Sequence, residues 1–241
     1  MQVVEERLLA WFDENARDLP WRHTNDPYAI LVSEVMLQQT QVARVMPRYR
    51  AWLSRWPTAG DLAEAPRGDV IRAWQGLGYN RRAVRLHEAA QQIAREGWPE
   101  DLTALPGVGR YTADAVARFA HEVDVLPADT NVRRIQQRTR ASFGPAAAAA
   151  LMDLGATVCL ARIPRCERCP LATDCPARGE SFKPLRRQSR FEGSFRQLRA
   201  TTLRAIAAEP QPVATLDAAA LASLEDDGLV TVARGIASLP S

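Results

Sequence analysis

At 241 residues the chain is long enough to bury a full core, as one large domain or two small ones, without staples. Its formal net charge of +3 is too weak to name a polyanionic partner, and no apolar run approaches the ~20 residues of a membrane span. The first thirty residues scatter Glu5, Glu6, Asp13 and Asp18 among apolar positions, unlike a secretory leader, so a cytoplasmic protein with no membrane partner is expected. Lys183 is the only lysine among 31 basic residues. Arginine's planar fork suits phosphate, although a GC-rich genome produces the same bias.

Apolar residues recur at helical spacing, strand-like alternation is nearly absent before residue 228, and Pro or Gly punctuates the chain at short intervals. The fold class expected is all-α. The spacing predicts helices over 3–16, 27–44, 46–56, 71–74, 81–96, 110–119, 130–140 and 146–159. From 176 to 204 the chain turns basic and poor in aliphatics, with Lys183, Arg186, Arg187, Arg190, Arg196, Arg199 and Arg204 against Glu180 and Glu192, as in a linker running into a basic helix start. From 205 the sign reverses, with Glu209, Asp217, Glu225, Asp226 and Asp227 against Arg234. Two short helices, an extended stretch at 229–232 and a turn at Gly235 fit a small winged-helix-like appendage; a loosely packed tail fits equally.

Cys159, Cys166, Cys169 and Cys175 form a C-x6-C-x2-C-x5-C run, with Pro170 and Pro176 following two of them. Four thiolates so near in sequence can surround one metal centre, and disulfides are disfavoured in a cytoplasmic chain. Spacing alone leaves zinc and a [4Fe-4S] cluster both open. A second motif, Leu105-Pro-Gly-Val-Gly109, separates two helical stretches, with Arg110 opening the second. Its glycines permit a tight turn, and amides at a helix start can take a DNA phosphate; an ordinary helix–helix turn reads the same way.

Two carboxylates stand out. Glu34 lies in the helix begun by Asp26-Pro27, with Ile30 and Leu37 as its i−4 and i+3 neighbours. Burial on that apolar face disfavours the charged form and suits a general acid, whereas an arginine partner would make it structural. Asp129 precedes a helix near Thr130 and reads as its N-cap, where helix-start amides favour the ionised form. A protonated and an ionised carboxyl are what cleavage of a bond to a sugar through an oxocarbenium-like state calls for.

The segments Leu19-Pro-Trp-Arg22, Ser33 to Val42 (SEVMLQQTQV), Gly76-Leu-Gly-Tyr79, Leu105 to Ala113 (LPGVGRYTA), Asp129-Thr-Asn-Val132 and Met152-Asp-Leu-Gly-Ala156, together with the cysteine run, resemble MutY-type adenine DNA glycosylases of the helix-hairpin-helix superfamily over about residues 5 to 180. That resemblance implies an all-α fold of two lobes. A six-helix barrel with the hairpin would occupy 22–128, a cluster lobe 1–21 plus 129–180, and a basic linker with a small tail 181–241. It implies a [4Fe-4S] cluster on Cys159, Cys166, Cys169 and Cys175. The partner would be double-stranded DNA containing a mispair or damaged base, bound by a monomer at the bacterial nucleoid.

It further implies that a flipped adenine, mispaired with 8-oxoguanine or guanine, is protonated at N7 by Glu34, and that Asp129 stabilises the sugar cation. Tyr111 and Asn131 match supporting residues. Arg17, Trp21 and Arg22 match the adenine pocket, Gln38 and Gln39 the base-stack contacts, and Tyr79 with Leu105, Gly107, Gly109 and Arg110 the DNA-binding turns. Endonuclease III-type relatives have a lysine nucleophile where Tyr111 stands, so a monofunctional enzyme leaving an intact abasic site is expected. Three departures bear on the substrate: Asn80 where a second tyrosine is common, alanine at every position from 146 to 150 where Glu or Gln is frequent, and too few residues after Pro176 for a Nudix-like recognition domain. Removal of thymine or another mismatched base, and a DNA-binding iron-sulfur protein that has lost catalysis, are the alternatives.

Overall fold

The structure is a computed structural model that describes residues 2–181 and 190–241. Eleven α-helices account for most of it: α1 (Gln2–Asn15), α2 (Pro27–Leu37), α3 (Val42–Arg55), α4 (Ala59–Glu64), α5 (Arg67–Trp74), α6 (Arg81–Glu96), α7 (Arg110–His121), α8 (Thr130–Thr139), α9 (Ala148–Thr157), α10 (Phe195–Ala208) and α11 (Ala218–Asp226). Three short strands, β1 (Gln211–Pro212), β2 (Thr231–Ala233) and β3 (Ile236–Ser238), lie near the C-terminus. The all-α expectation holds for everything that carries the motifs.

The chain forms two compact units, residues 1–27 with 110–187 and residues 28–109 with 188–241. In the first, α8 and α9 pack together and α1 lies on α9. Leu8, Val132, Ile135, Leu151 and Leu154 fill the core between them at essentially zero exposure. Gly155 permits this closeness: a Cβ there would lie 2.5 Å from the Cβ of Asn131, so a larger residue would push α9 off the start of α8.

In the second unit α2 is buried from Tyr28 to Met36, as a helix apolar on all sides must be. Trp52 of α3 packs edge-on against both Trp56 and Trp74, with ring centroids 4.8 and 5.4 Å apart. Its Nε1 donates to the Tyr28 hydroxyl at 3.2 Å, which in turn donates to the Trp56 carbonyl at 3.1 Å, so no polar atom of this trio is stranded in the core. Helix α6 lays its Ala83, Leu86, Ala90 and Ile93 stripe against α4 and α5.

Helix boundaries differ from expectation in three places. The predicted 27–44 helix stops at Leu37, and the next begins at Val42, ahead of the predicted residue 46, and runs through Pro47. The cause is tertiary: the buried Arg82 guanidinium takes the carbonyls of Val35, Met36 and Gln38, which end the α2 ladder. The short helix α4 was not expected; its Thr58/Asp61 capping box supplies the start signal. Third, α5 begins at Arg67, ahead of residue 71.

The C-terminal segment is a packed structure, which corrects the loosely packed alternative. Leu203, Ile206, Leu221, Leu224 and Ala237 form a core that is shared with Ile71 of α5 and Val84 of α6. The strands pair antiparallel in the order β1-β3-β2, and Arg234 and Gly235, both left-handed, turn the β2–β3 hairpin. Of the basic stretch, Arg196, Arg199 and Arg204 belong to α10, whereas Lys183, Arg186 and Arg187 lie outside the described residues.

Candidate active site and nucleic-acid interface

Within residues 28–109, Glu34 sits on the buried central helix with 6% of its surface exposed. It is the only carboxylate of α2, and every neighbour from Tyr28 to Met36 is buried too. Just beyond that helix Gln38 and Gln39 form a turn in which Gln39 has a left-handed φ of 55°. Tyr79, at the end of Gly76-Leu-Gly-Tyr79, has φ 48° and is 44% exposed. Left-handed backbone at two non-glycine residues is strained and must be held from elsewhere.

Arg82 holds both turns. One guanidinium nitrogen donates to the Val35, Met36 and Gln38 carbonyls at 2.7, 3.0 and 2.6 Å. The other donates to Thr40 Oγ1 and the Gly78 carbonyl, each at 2.9 Å. Its face lies 5.2 Å from the Trp74 ring centroid and 5.6 Å from that of Tyr79. Burial lowers its pKa to about 10, with Tyr79 pulling the other way, and the group stays cationic at neutral pH.

The hairpin is built as its composition suggests. The Val108 amide donates to the Leu105 carbonyl at 3.1 Å, and Leu105 points its side chain into the core. Gly107 has φ 79° and lies so near Arg85 that a Cβ would come within 2.9 Å of the arginine Cβ. No other residue fits there without displacing α6. Gly109 is exposed, and Arg110, the first residue of α7, pairs with Asp114 at 2.9 Å. Gln38, Gln39, Tyr79, Asn80, Pro106 and Gly107 all line one groove.

Within residues 1–27 and 110–187, Asp129 is the N-cap of α8, as expected from sequence. Its Oδ1 accepts from the Asn131 and Val132 amides at 2.8 and 2.7 Å, and its Oδ2 from the Asn131 side-chain amide at 2.7 Å. Arg134 extends the network, donating to Asn131 Oδ1 and to the Gly155 and Cys159 carbonyls, all at 2.8 Å. Asp129 is therefore held at a fixed angle by three donors on its own helix, with one face half exposed.

Arg17 and Arg22 converge on Asp153, which is fully buried in α9. The Arg17 amide and Nε donate to it at 2.9 and 2.7 Å, and both Arg22 terminal nitrogens do so at 2.8 and 2.7 Å. Burial opposes the Asp153 charge, but these bonds outweigh it and hold the carboxyl below its ordinary range. Trp21 lies in the 3-10 turn between the two arginines, and Tyr111 is half-buried on the first turn of α7.

The four cysteines line one recess with Ile135, Arg138 and Leu171. Arg138 donates to Cys159 Sγ at 3.2 Å and the Gly179 amide to Cys166 Sγ at 3.3 Å. The same guanidinium binds the Leu160, Ala161 and Glu180 carbonyls, so α8 carries the loop. Burial raises Cys169 to about 11, opposed by a backbone hydrogen bond at Leu171 and reinforced by the other three cysteines. Among the described residues no three His, Cys, Asp or Glu side chains stand close enough to hold a single metal ion.

A family model described as "HhH-GPD superfamily base excision DNA repair protein" matches residues 32–152. The chain belongs to that superfamily. Among HhH-GPD relatives, a Mycolicibacterium smegmatis protein named adenine DNA glycosylase is 44% identical, over 95% of this chain and 93% of its own. Of solved structures, a thermostable thymine-DNA glycosylase superposes with a TM-score of 0.66 at 26% identity, covering 73% of this chain and 94% of that one. A trapped endonuclease III–DNA intermediate gives a TM-score of 0.63 at 20% identity, covering 73% of this chain and 93% of that chain, a likeness of fold.

Sequence reasoning missed Arg82 as an organiser of the second unit, and Arg134 and Asp153 as organisers of the first. Asp153 left a signal, being the only charged residue in an apolar helix. Arg82 left none, because its acceptors around the end of α2 come from a segment distant in sequence.

Proposed function

We propose that the chain is a monofunctional DNA glycosylase that hydrolyses the N-glycosidic bond of adenine mispaired with 8-oxoguanine or guanine. The observation that carries this is the contrast between two carboxyls. Glu34 lies on a helix buried from Tyr28 to Met36, whereas Asp129 is partly exposed and fixed at the start of α8 by three hydrogen bonds, an arrangement that suits two carboxyls with different roles. With the base flipped out of the stack, Glu34 protonates N7 and makes adenine a better leaving group. The Asp129 carboxylate faces the positive charge that develops on the sugar, and water completes the hydrolysis. Asn131, through its bond to Asp129, and Tyr111 keep this site polar. Tyr111 supplies no amine for strand cleavage.

Arg17 and Arg22, locked by Asp153, form with Trp21 a rigid wall suited to an adenine. Gln38, Gln39 and Tyr79 lie on a surface suited to the base stack, and the hairpin from Leu105 through Gly107 and Gly109 to Arg110 suits a phosphate. The name carried by the 44% identical relative supports adenine as the base. Thymine is the second reading, favoured by Asn80, by the alanine run at 146–150 and by the fold neighbour that acts on thymine.

The donor set fits a [4Fe-4S] cluster held by Cys159, Cys166, Cys169 and Cys175. Four thiols line one recess, and N–H groups point at two of the sulfurs. Such a group would tie the loop that carries Cys166, Cys169 and Cys175 to Cys159, just past the end of α9. A monomer in the cytoplasm, with a winged-helix-like C-terminal segment, completes the reading; among the described residues no helix is long and apolar enough to cross a membrane.

The test is a single-turnover assay on duplexes presenting A opposite 8-oxoguanine, G or C, and T opposite G, scored with and without alkali. Alkali-dependent cleavage at adenine is expected. Cleavage only at thymine would establish the second reading, and alkali-independent cleavage would contradict the monofunctional one. A brown protein with stoichiometric iron and sulfide is the expected result for the cluster, and zinc alone would refute it.

A further inference from the structure

The C-terminal segment is more than a packed appendage to residues 28–109. Its helix α10 is fastened there by the Leu203 and Ile206 face and by Arg199, which donates to Asp227 at 2.6 Å and to the Ser223 carbonyl at 3.2 Å. The Arg72 guanidinium binds the Ala207 carbonyl at the far end of the helix at 3.2 Å. The first turn of α10 and the turn before it thereby become one wall of the groove lined by Gln38, Tyr79 and Gly107. That turn is ordered: the Ser194 amide and hydroxyl both donate to the Phe191 carbonyl, at 3.1 and 2.6 Å.

Two features of this wall point to a ligand. Phe191, in the turn before α10, and Phe195, on its first turn, keep 46% and 49% of their surface in solvent although the other face of the helix is well packed, an exposure that folding does not require. The groove also contains six arginines against the single carboxylate Asp227. Asp227 is engaged by Arg81 and Arg199, and Arg82 is spent on the two turns. Arg44 and Arg85 add to the positive charge of the groove, and Arg196 lines it as well. Aromatic faces interleaved with arginines, in a cavity of about 770 Å3, suit an unstacked nucleotide flanked by phosphates.

We infer that α10 is a DNA-binding element, in which Phe195, assisted by Phe191, stacks on a nucleotide of the strand opposite the excised base while Arg196 contacts its phosphate. The inference rests on the glycosylase reading and assigns part of the opposing-strand contact to residues far outside the matched family region. Asn80, at a position where a second tyrosine is common, lines the same groove.

The experiment uses the whole protein and a duplex carrying a tetrahydrofuran abasic analogue opposite 2-aminopurine. Wild type, Phe195→Ala, Phe195→Trp and Arg196→Ala are compared by anisotropy, 2-aminopurine fluorescence and thermal melting. Phe195→Ala should weaken binding about tenfold and relieve the quenching of 2-aminopurine, and Phe195→Trp should restore both. Arg196→Ala should lower the slope of log affinity against log salt by about one. Variants that melt like wild type yet bind with wild-type affinity and quenching would overturn the inference, while adenine excision by wild type would still uphold the function. If the variants lose affinity as expected but wild type excises no adenine, the groove stands and the substrate reading falls.

Discussion

Asp129 caps α8 and, in the proposed reaction, faces the sugar, and the two roles can be separated by one substitution. Asparagine keeps an oxygen for the Asn131 and Val132 amides but loses the charge. Asp129→Asn is therefore expected to slow single-turnover excision by about 10²- to 10⁴-fold, leaving melting temperature and DNA affinity nearly intact. Equal loss of affinity and rate would mean that Asp129 is only a cap. Asp153 has the opposite character, since its whole function is to satisfy Arg17 and Arg22 in a buried place. Asp153→Ala leaves two guanidinium groups without their acceptor and is expected to cost about 3 to 5 kcal/mol in urea denaturation.

The acid sensitivity of the fold is also set by single residues. His87 is 2% exposed, and burial, then the charge of Arg67, pushes its pKa below 6.5. It stays neutral when folded, so the unfolded chain takes the proton first and stability falls as pH drops below about 6.5 toward the lowered value. Asp153 is lowered from 3.8, so its contribution is present above 3.8 and lost as pH falls through its folded value. Denaturation midpoints measured between pH 8 and pH 5 should decline for wild type and flatten for His87→Gln; parallel curves would remove His87 from the account.

At the scale of elements, the start of α8 was legible from Asp129-Thr-Asn-Val132 because an N-cap is a local device. The hairpin was legible for the same reason, since the φ of 79° at Gly107 is a local demand for glycine; its close approach to Arg85 was not legible. The end of α2 was not, because it depends on a guanidinium 44 residues away from Gln38 along the chain. Arg82 couples α2, the Gln38–Gln39 turn and the Gly76–Tyr79 turn, so its loss should act on all three together. Arg82→Met should destabilise the protein by about 3 kcal/mol or more, with several backbone carbonyls stranded. Hydrogen exchange should quicken in both turns; protection lost in only one would show that the turns are held independently.

For the whole molecule, net charge understates the polyanion-binding surface, because the arginines are gathered and the carboxylates are paired or placed elsewhere. Affinity for duplex DNA should fall steeply with salt, with a log–log slope steeper than about −3. A nearly flat dependence would contradict a phosphate-dominated interface. The aromatic wall on α10 had no signature in sequence, since Phe191 and Phe195 are unremarkable beside a basic stretch until Leu203 and Ile206 dock the helix and bring them into the groove that Tyr79 lines.

The sequence by itself determined the helical class, the turns, the cysteine group, the cap at Asp129 and the apolar face around Glu34, because each depends on residues within a few positions of one another or on a motif kept intact. Only the tertiary structure decided that Arg17 and Arg22 share one buried carboxylate, that Arg82 terminates one helix and props two strained turns, and that the C-terminal helix completes a groove. Those features arise from contacts between segments far apart in the chain, where a single buried guanidinium or carboxylate must find all its partners at once and local propensity has no say.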